Sequence, residues 1–349
     1  MEVLASVLST RPLCGSIDPG FDASDSVGGL ALSDVIAQVK GKVLEPARAE
    51  IGANASQKKL SSLVDAAAKD SLRQAHRADA SFRGHMTLNA IPTAGVWLTA
   101  VPVDGSDMEA PLFTTALKRR LRVPVYPSDS FCPCCGDCLD RFGDHALVCP
   151  CKGDRTVRHN DVRNIVFGDA LAAGLQPMKE KAGLLPARPL EDGLKASGNR
   201  RPADIWLPRG AQGRGEALDF ACTSGMRSDL LHIVADTPHI VFDRYEDFKR
   251  SYQNTDQQCA DQGFVFTPMV FEAHAGAWSP TARKVLDDVS KYLAAATGSS
   301  VESVSLRLAQ RTSIALHKAN ARAILKRAAA PTSASNHSGW TDWTEDEAM

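Results

Sequence analysis

The sequence lacks both features that would place the protein in or across a membrane. No apolar run approaches the roughly 18 residues that a membrane-spanning helix needs. The segment 1–20 also lacks the basic start and the long apolar centre of a secretory signal peptide. We therefore expect an intracellular protein without a membrane partner.

An excess of charge of one sign is also missing. The 40 Lys and Arg residues are balanced by 41 Asp and Glu residues, so the net charge is −1. A chain with this balance can attract nucleic acid only through local basic patches. One such patch is the segment 152–214, with twelve Lys or Arg residues against seven Asp or Glu residues. Another is a basic helical segment after Glu302, which we interpret as a solvated helix face.

Hydrophobic residues are plentiful and follow a mixed pattern. They make up 44% of 349 residues, which is enough for one large domain or two ordinary ones. Apolar spacing predicts a helix over 53–80, a short strand over 94–103 and a helix over 108–122. The stretch 177–278 then alternates strands with helices, and a helix capped by Ser279 follows it. These patterns predict an α/β (α+β) fold with a mixed sheet flanked by helices.

Cysteine is rare except in one short segment. Six of the nine cysteines lie between Phe131 and Lys152, and an intracellular cluster of thiols indicates a metal site more than disulfides. Our preferred zinc ligands are a knuckle pair two residues apart and a His-Cys pair one helical turn apart: Cys132, Cys135, His145 and Cys149. Three further thiols remain, namely Cys134, Cys138 and Cys151. A shifted register that uses Cys135 with Cys138 is the main competitor.

Two carboxylates, Asp204 at the start of one predicted strand and Asp219 within the next, suggest a second metal site. Asp204 and Asp219 flank a hairpin-like loop, and two acids at one end of a sheet can share Mg²⁺. Glu180 could supply a third carboxylate, and Lys249 on the following helix could place a positive charge against a phosphate. Arg200 and Arg201 suit phosphate contacts. From spacing alone, ordinary structural roles for these residues remain the simpler interpretation.

Four segments taken in order resemble a known family. They are "CPCCGDCLDRFGDHALVC", "RHNDVRNIVF", "RPADIWLP…EALDFACTS" and "FVFTPMVFEAHAGAW". This order resembles the C-terminal part of polyproteins from non-LTR retrotransposons of the restriction-like-endonuclease kind, over about residues 83–288. In that family a Cys-Cys-His-Cys zinc knuckle precedes a nuclease of the PD-(D/E)XK fold. The nuclease nicks target DNA, and the exposed 3′ end primes reverse transcription.

The resemblance assigns roles to residues already singled out. It implies Cys132, Cys135, His145 and Cys149 as structural zinc ligands, and Asp204 and Asp219 as catalytic acids that hold Mg²⁺ or Mn²⁺. Glu180 matches a preceding acid. Because Ala221 stands where the family usually has a lysine, Lys249 is the expected displaced lysine, with Arg250 as the fallback. The "RHN" element matches too, and Arg158 and His159 become candidate nucleic-acid contacts together with Arg200 and Arg201, although a structural role for His159 is equally open.

The resemblance also implies a domain layout. We expect a partly helical N-terminal region (1–82), a linker with a strand and a basic helix (83–130), a zinc knuckle (131–152) and a nuclease domain (153–300). A basic helix (301–330) and a disordered tail (331–349) follow. The adjacent acids Asp287 and Asp288 lie in a helical context unlike a polymerase palm, so we expect a retrotransposon-derived fragment without the polymerase.

Partners and alternatives follow from the same resemblance. The expected partner is DNA, with RNA as a further one, in a nuclear location; the oligomeric state is not readable. One alternative is a non-catalytic binding module that uses the knuckle, the basic helix end "ALKRRLR" and the basic segment after Glu302. Another is a degenerate fragment that keeps the fold without a present activity.

Overall fold

The computed structural model describes residues 32–43, 47–52, 56–103, 106–187, 200–210 and 213–328. Two compact units make up the chain, Met1–Arg77 and Ala78–Met349. The expected disordered tail and residues 1–31 of the expected N-terminal region therefore lie outside the described residues. None of the helices in these ranges is long and apolar enough to cross a membrane.

The described residues of the first unit include two helices around a small apolar cluster. Helix α1 (Leu32–Lys42) and helix α2 (Gln57–Ala75) are joined through a 3-10 turn at Ala47–Glu50. Helix α2 begins at Ser56, whose hydroxyl accepts a hydrogen bond from the Lys59 amide, as expected for a helix N-cap. The buried residues shared by these elements are Ile36, Val43, Ile51 and Leu60. The predicted helix in this region is confirmed.

The second unit mixes helices and strands. Its helices are α3 (Ala80–Leu88), α4 (Ala110–Arg120), α5 (Asp144–Val148), α6 (Asp154–Ala172), α7 (Leu231–Val234), α8 (Ile240–Ser251), α9 (Thr255–Asp261), α10 (Pro280–Thr297) and α11 (Val301–Ala328). Its strands are β1 (Ser130–Phe131), β2 (Cys138–Leu139), β3 (Met178–Lys179), β4 (Ile205–Leu207), β5 (Glu216–Thr223) and β6 (Val265–Glu272). Short 3-10 helices lie at Val96–Thr99, Cys151–Gly153 and Tyr252–Asn254.

The strands form a small hairpin and a larger mixed sheet. Strands β1 and β2 pair antiparallel, and the second sheet has the order β3-β4-β5-β6. Strands β3, β4 and β5 pair antiparallel, whereas β5 and β6 run parallel. A parallel pair needs a long crossover, which the helices α7, α8 and α9 provide. The predicted mixed sheet flanked by helices is therefore confirmed.

Alternating residues of the central strands build a core on each face of this sheet. Leu218 and Phe220 of β5 pack with Met269 of β6 against the helices α6, α10 and α11. Ala221 of β5 and Val270 of β6 point to the opposite face and pack against α7 and α8. Side chains along a strand alternate between faces, so both faces of β5 are buried, with Asp219 on the same face as Ala221.

The predicted strand at 94–103 is wrong. The structure has a 3-10 helix at Val96–Thr99 instead, with Trp97 buried. The Trp97 ring packs against Phe113 of α4 and His317 of α11, with ring centroids 5.9 Å and 4.7 Å apart. A short apolar run cannot by itself distinguish a strand from a buried turn, and here the partners of the tryptophan decide.

Helix α11 is far more buried than its charge suggests. The solvated face predicted for the basic segment is only partly present, because one side of the helix lies in the core. Its buried residues include Leu308, Ile314, Leu316 and Ile324, and the Arg327 side chain is also buried. Arg307 and Arg322 are exposed. The helix packs on α4, α5, α6 and α10, so it belongs to the core of the second unit.

Burial of His317 in α11 predicts a stability that depends on pH. Burial, helped by the nearby charge of Arg119, lowers the pKa of His317 to about 3. The unfolded chain binds this proton near pH 6.5, so the free energy of unfolding falls as pH drops from 6.5 toward 3. One such group removes about 2 kcal/mol by pH 5.

Between pH 7 and pH 5 we expect the free energy of unfolding to fall less in the variant His317→Gln than in wild type. Urea unfolding at the two pH values measures this difference. The control is His232→Gln, since His232 is exposed. An equal loss in wild type and in His317→Gln would contradict the assignment.

Candidate functional site

The segment predicted to be a zinc knuckle, called the knuckle below, begins with a tight turn between β1 and β2. The Cys132 amide donates to the Asp137 carbonyl at 2.7 Å, and the Gly136 amide donates to the Cys132 carbonyl at 2.9 Å. Gly136 has a φ of 82°, in the left-handed region that favours glycine. The turn brings Cys132 and Cys135 to one side of the hairpin.

The short helix α5 supplies the other two candidate ligands. His145 lies in its first turn, and Cys149 follows its last residue with its amide bonded to the His145 carbonyl at 2.9 Å. The Asp140 carboxylate accepts hydrogen bonds from three amides at the start of this helix, including that of His145 at 2.7 Å. The role of Asp140 was not predicted from the sequence, although an aspartate before a short helix is a helix-start signal.

Four side chains of this segment converge on one point. The ligand atoms of Cys132, Cys135, His145 and Cys149 all lie within 4.8 Å of one another. The Sγ atoms of Cys132 and Cys149 are 3.9 Å apart, and those of Cys149 and Cys135 are 3.7 Å apart. In a tetrahedral zinc site with Zn–S bonds of about 2.3 Å, two sulfur atoms stand roughly 3.8 Å apart. The four residues could therefore hold a metal ion.

The remaining thiols lie around this group without joining it. Cys138 is exposed, so the competing register built on Cys135 and Cys138 does not match the geometry. Cys134 and Cys151 are half-buried and pack on the apolar cluster beneath the knuckle. This cluster joins Leu139 and Leu147 to Ala273 after β6 and Ile324 of α11, so the knuckle is part of the second unit's core.

Gly143, before α5, is constrained both by its backbone and by its neighbours. Its φ is 75°, and an added Cβ would meet the Ile324 and Val125 side chains at 3.0 Å. Gly136 has a similar backbone but open space around it, so it is a matched control. We expect Gly136→Ala to cost about 1 kcal/mol and Gly143→Ala about 1–3 kcal/mol more, because only the latter overpacks the core.

Urea unfolding of both metal-loaded variants measures this difference. Equal destabilisation would mean that the close approach of Ile324 and Val125 has no energetic effect.

The two candidate catalytic acids lie at one end of the β4–β5 hairpin. Ile205 pairs with Leu218 in the antiparallel register, so the next residues, Asp204 and Asp219, lie opposite each other on neighbouring segments. The Asp204 amide donates to the Leu218 carbonyl at 3.0 Å, and the Asp204 carboxylate accepts from the Phe220 amide at 2.7 Å. These two bonds hold Asp204 against β5, beside Asp219.

Lys249 of α8 reaches this end of the sheet. Its Nζ lies 2.9 Å from Asp219 Oδ2, with the lysine side chain 16% exposed and the aspartate 18% exposed. Burial raises the pKa of Asp219, and the nearby Asp204 charge raises it further, while the Lys249 ammonium opposes both. Burial alone lowers the pKa of Lys249, but the Asp219 charge outweighs it and the pKa is raised. Two neighbouring carboxylates with little exposure therefore favour the binding of cations beside them.

His159 of α6 completes the surroundings of Asp204. Its Nε2 lies 3.1 Å from Asp204 Oδ2 and 3.1 Å from the Phe220 carbonyl. Burial lowers the pKa of His159, but the hydrogen bond and charge of Asp204 outweigh burial and raise it. His159 therefore contacts a candidate acid directly, and its Nδ1 lies 3.2 Å from Asn160 Oδ1.

Glu180 faces arginines instead of the other two acids. Its carboxylate pairs with Arg163 at 3.1 Å and with Arg201 at 3.0 Å. Arg163 also lies 4.0 Å from Asp204 Oδ1, so it stands between Glu180 and the acid pair. Among the described residues, the knuckle is the one group of three or more Cys, His, Asp or Glu side chains close enough to share an ion. The three acids therefore do not form such a cluster.

The predicted nucleic-acid contacts differ in accessibility. Arg201 is 56% exposed and pairs with Glu180, whereas Arg200 donates to the Gln258 side chain at 2.6 Å. Arg158 is buried and donates to Asn320 at 2.8 Å and to the Leu147 carbonyl at 2.9 Å. These bonds give Arg158 a structural role in place of the phosphate contact expected from the sequence, because its guanidinium does not reach the surface.

The basic helix end "ALKRRLR" also turns inward. Arg119 and Arg122 form ion pairs with Asp144 at 3.1 Å and 2.8 Å. Arg120 donates to the Asn89 side chain and to the Ala94 carbonyl. Three of the four cations in this segment are thus committed to internal partners, so it is a poor phosphate-binding surface. These ion pairs could not be predicted from the sequence, since Asp144 lies 22 residues beyond Arg122.

Comparisons with known proteins do not extend these observations: no protein-family model matches the chain, and no curated protein matches its sequence.

Proposed function

We propose that the second unit is a metal-dependent DNA endonuclease, derived from a retrotransposon of the restriction-like kind, with a structural zinc knuckle. The observation that carries this proposal is the ion pair between Lys249 and Asp219 beside Asp204, at one end of a mixed sheet. Two acids and a lysine in this order agree with the PD-(D/E)XK pattern that the sequence resembles. Lys249 lies on α8, the second helix after β5, and would take the role of the lysine that the family usually has where Ala221 stands.

The acid pair suits a hard divalent cation. Mg²⁺ or Mn²⁺ prefers carboxylate oxygens, and Asp204 and Asp219 would hold it. When bound, the ion would activate water and neutralise charge on the phosphodiester. Lys249 directs its ammonium toward the same place, where it would face the attacked phosphate. His159 and the Phe220 amide hold the Asp204 carboxylate in position.

The reaction proposed is hydrolysis of one DNA strand. A water oxygen bonds to phosphorus and loses a proton, while the bond from phosphorus to O3′ breaks and O3′ takes up a proton. The nick therefore ends in a 5′ phosphate and a 3′ hydroxyl, and the hydroxyl can prime DNA synthesis. A nuclear location agrees with this substrate, and RNA is a further partner. In the knuckle, four protein ligands leave no open position on zinc, so its role would be structural.

Nicking of supercoiled plasmid with Mg²⁺ or Mn²⁺ tests the proposal. We expect wild-type protein to produce nicks that an added DNA polymerase extends. Asp204→Asn, Asp219→Asn and Lys249→Met should lower the rate on the order of 10²-fold or more. Matched controls are Asp229→Asn and Lys291→Met, since Asp229 and Lys291 are exposed and paired elsewhere; both should keep the wild-type rate.

Two outcomes would contradict the endonuclease. One is nicking that persists unchanged in the Asp204 and Asp219 variants, which would indicate a contaminating nuclease. The other is salt-dependent DNA binding without cleavage, which would favour the non-catalytic binding module.

A further inference from the structure

Arg327, in the last turn of α11, is a buried cation with incomplete hydrogen bonding. Its side chain has 0% exposure and its Nη1 donates to Asp154 at 2.8 Å and to the Ala323 carbonyl at 2.7 Å. Its Nε and Nη2 are buried and have no hydrogen-bond partner. Buried donors without acceptors are rare in folded proteins and destabilise the folded state. A further acceptor is therefore expected beside Arg327.

The knuckle thiols lie next to this guanidinium. One turn earlier on α11, Ile324 packs in the same apolar cluster as Cys132 and Cys149. The Tyr126 hydroxyl also binds the Ile324 carbonyl at 2.9 Å and fixes this end of the helix against the knuckle. The side chains that interact most strongly with the Arg327 guanidinium are those of Cys149, Asp154 and Cys132.

The charge of a metal-loaded knuckle gives a physical reason for these contacts. A zinc ion with three thiolates and one neutral imidazole carries a net charge of −1, and burying a net charge is costly without a partner. Cys132 and Cys149 are both buried. Hydrogen bonds from neighbouring groups to metal ligands commonly orient those ligands and tune the metal site.

We propose that Arg327 donates N–H···S hydrogen bonds to the Cys149 and Cys132 thiolates and neutralises the charge of the loaded knuckle. Arg327 is then a positioning residue that couples the C-terminal helix to metal retention. This inference rests on the proposal that the knuckle holds zinc, and it is independent of the endonuclease activity.

Zinc release from the full chain tests the role of Arg327. Zinc-loaded protein is mixed with an excess of a chromogenic chelator, and the release rate is followed. We expect Arg327→Met to release zinc about 10–100-fold faster than wild type. Arg327→Lys keeps a charge near Asp154 but loses the Nε and Nη2 donors, so we expect an intermediate rate. Arg311→Met is the matched control, since Arg311 lies on the same helix and pairs with Asp169.

A second variant separates metal retention from ordinary stability. Asp154→Asn removes the ion pair with Arg327 and leaves the donors to sulfur, so we expect a release rate within about 3-fold of wild type. Cobalt-substituted protein gives an independent readout, because the thiolate-to-cobalt absorption band should shift in Arg327→Met and stay in place in Asp154→Asn.

The outcomes that overturn the inference are distinct from those that overturn the zinc assignment. Wild-type release from both Arg327 variants, or equally fast release from Asp154→Asn and Arg327→Met, overturns the role of Arg327 alone. Wild-type protein that holds no zinc overturns the zinc assignment and this inference with it.

Discussion

Removal of the metal ion is expected to unfold the knuckle and loosen the end of α11. Structural zinc contributes on the order of 10 kcal/mol to the folding of comparable small sites, and β1 and β2 are only two residues long each. Without the ion, few interactions other than the apolar cluster beneath the knuckle hold this segment in place. We expect Cys135→Ser and His145→Ala to lose zinc and to lower the melting temperature in the same way as a chelator.

Cys138→Ser is the control for this experiment. Cys138 lies in the same segment but is exposed and stands apart from the four converging side chains. Zinc content by mass spectrometry and thermal unfolding should both match wild type in this variant. If Cys138→Ser lost zinc and Cys135→Ser kept it, the ligand register proposed here would be wrong.

Replacement of Glu272 should cause the largest loss of stability outside the knuckle. Glu272 ends β6, and its side chain is wholly buried. Its carboxylate accepts hydrogen bonds from the Gly225 and His274 amides at 3.0 Å and from the Ala275 amide at 2.5 Å. Glu272→Ala leaves these three donors without a partner, and we expect a loss of about 3–5 kcal/mol.

Glu272→Gln tests the same contact with less change in shape. The amide keeps one acceptor oxygen but turns an NH₂ group toward backbone donors, so we expect a loss of about 2 kcal/mol. The exposed Glu302 is the control, and Glu302→Gln should stay within about 1 kcal/mol of wild type. Equal urea-unfolding midpoints for Glu272→Ala and wild type would contradict the account.

Local sequence patterns were sufficient to predict the structure where the deciding contacts join residues close together in the sequence. The alternation of strands and helices over 177–278 and the helix after Ser279 follow from apolar runs and cap chemistry, and the Ser279 hydroxyl accepts from the Ala282 amide at 3.1 Å. The four candidate metal ligands follow from spacing for the same reason, since one turn and one short helix hold all of them within 18 residues.

Patterns failed where the partner is distant in sequence. Arg158 binds Asn320, which is 162 residues away, and no local feature distinguishes it from a phosphate-binding arginine. The run 94–103 failed likewise, because the partners of Trp97 come from α4 and α11. Composition indicates how many charges there are, whereas long-range packing decides which of them reach the solvent.

The sequence by itself determined the alternation of strands and helices over 177–278, the helix after Ser279, the candidate ligand set of the knuckle and the candidate acids Asp204 and Asp219. Only the tertiary structure decided that Lys249 meets Asp219, that Glu180 faces arginines and that α11 is built into the core beside the knuckle. The physical reason is the range of the interactions. Caps, turns and metal-ligand spacing act over a few residues, but ion pairs and apolar burial join segments whose distance along the chain carries no signal.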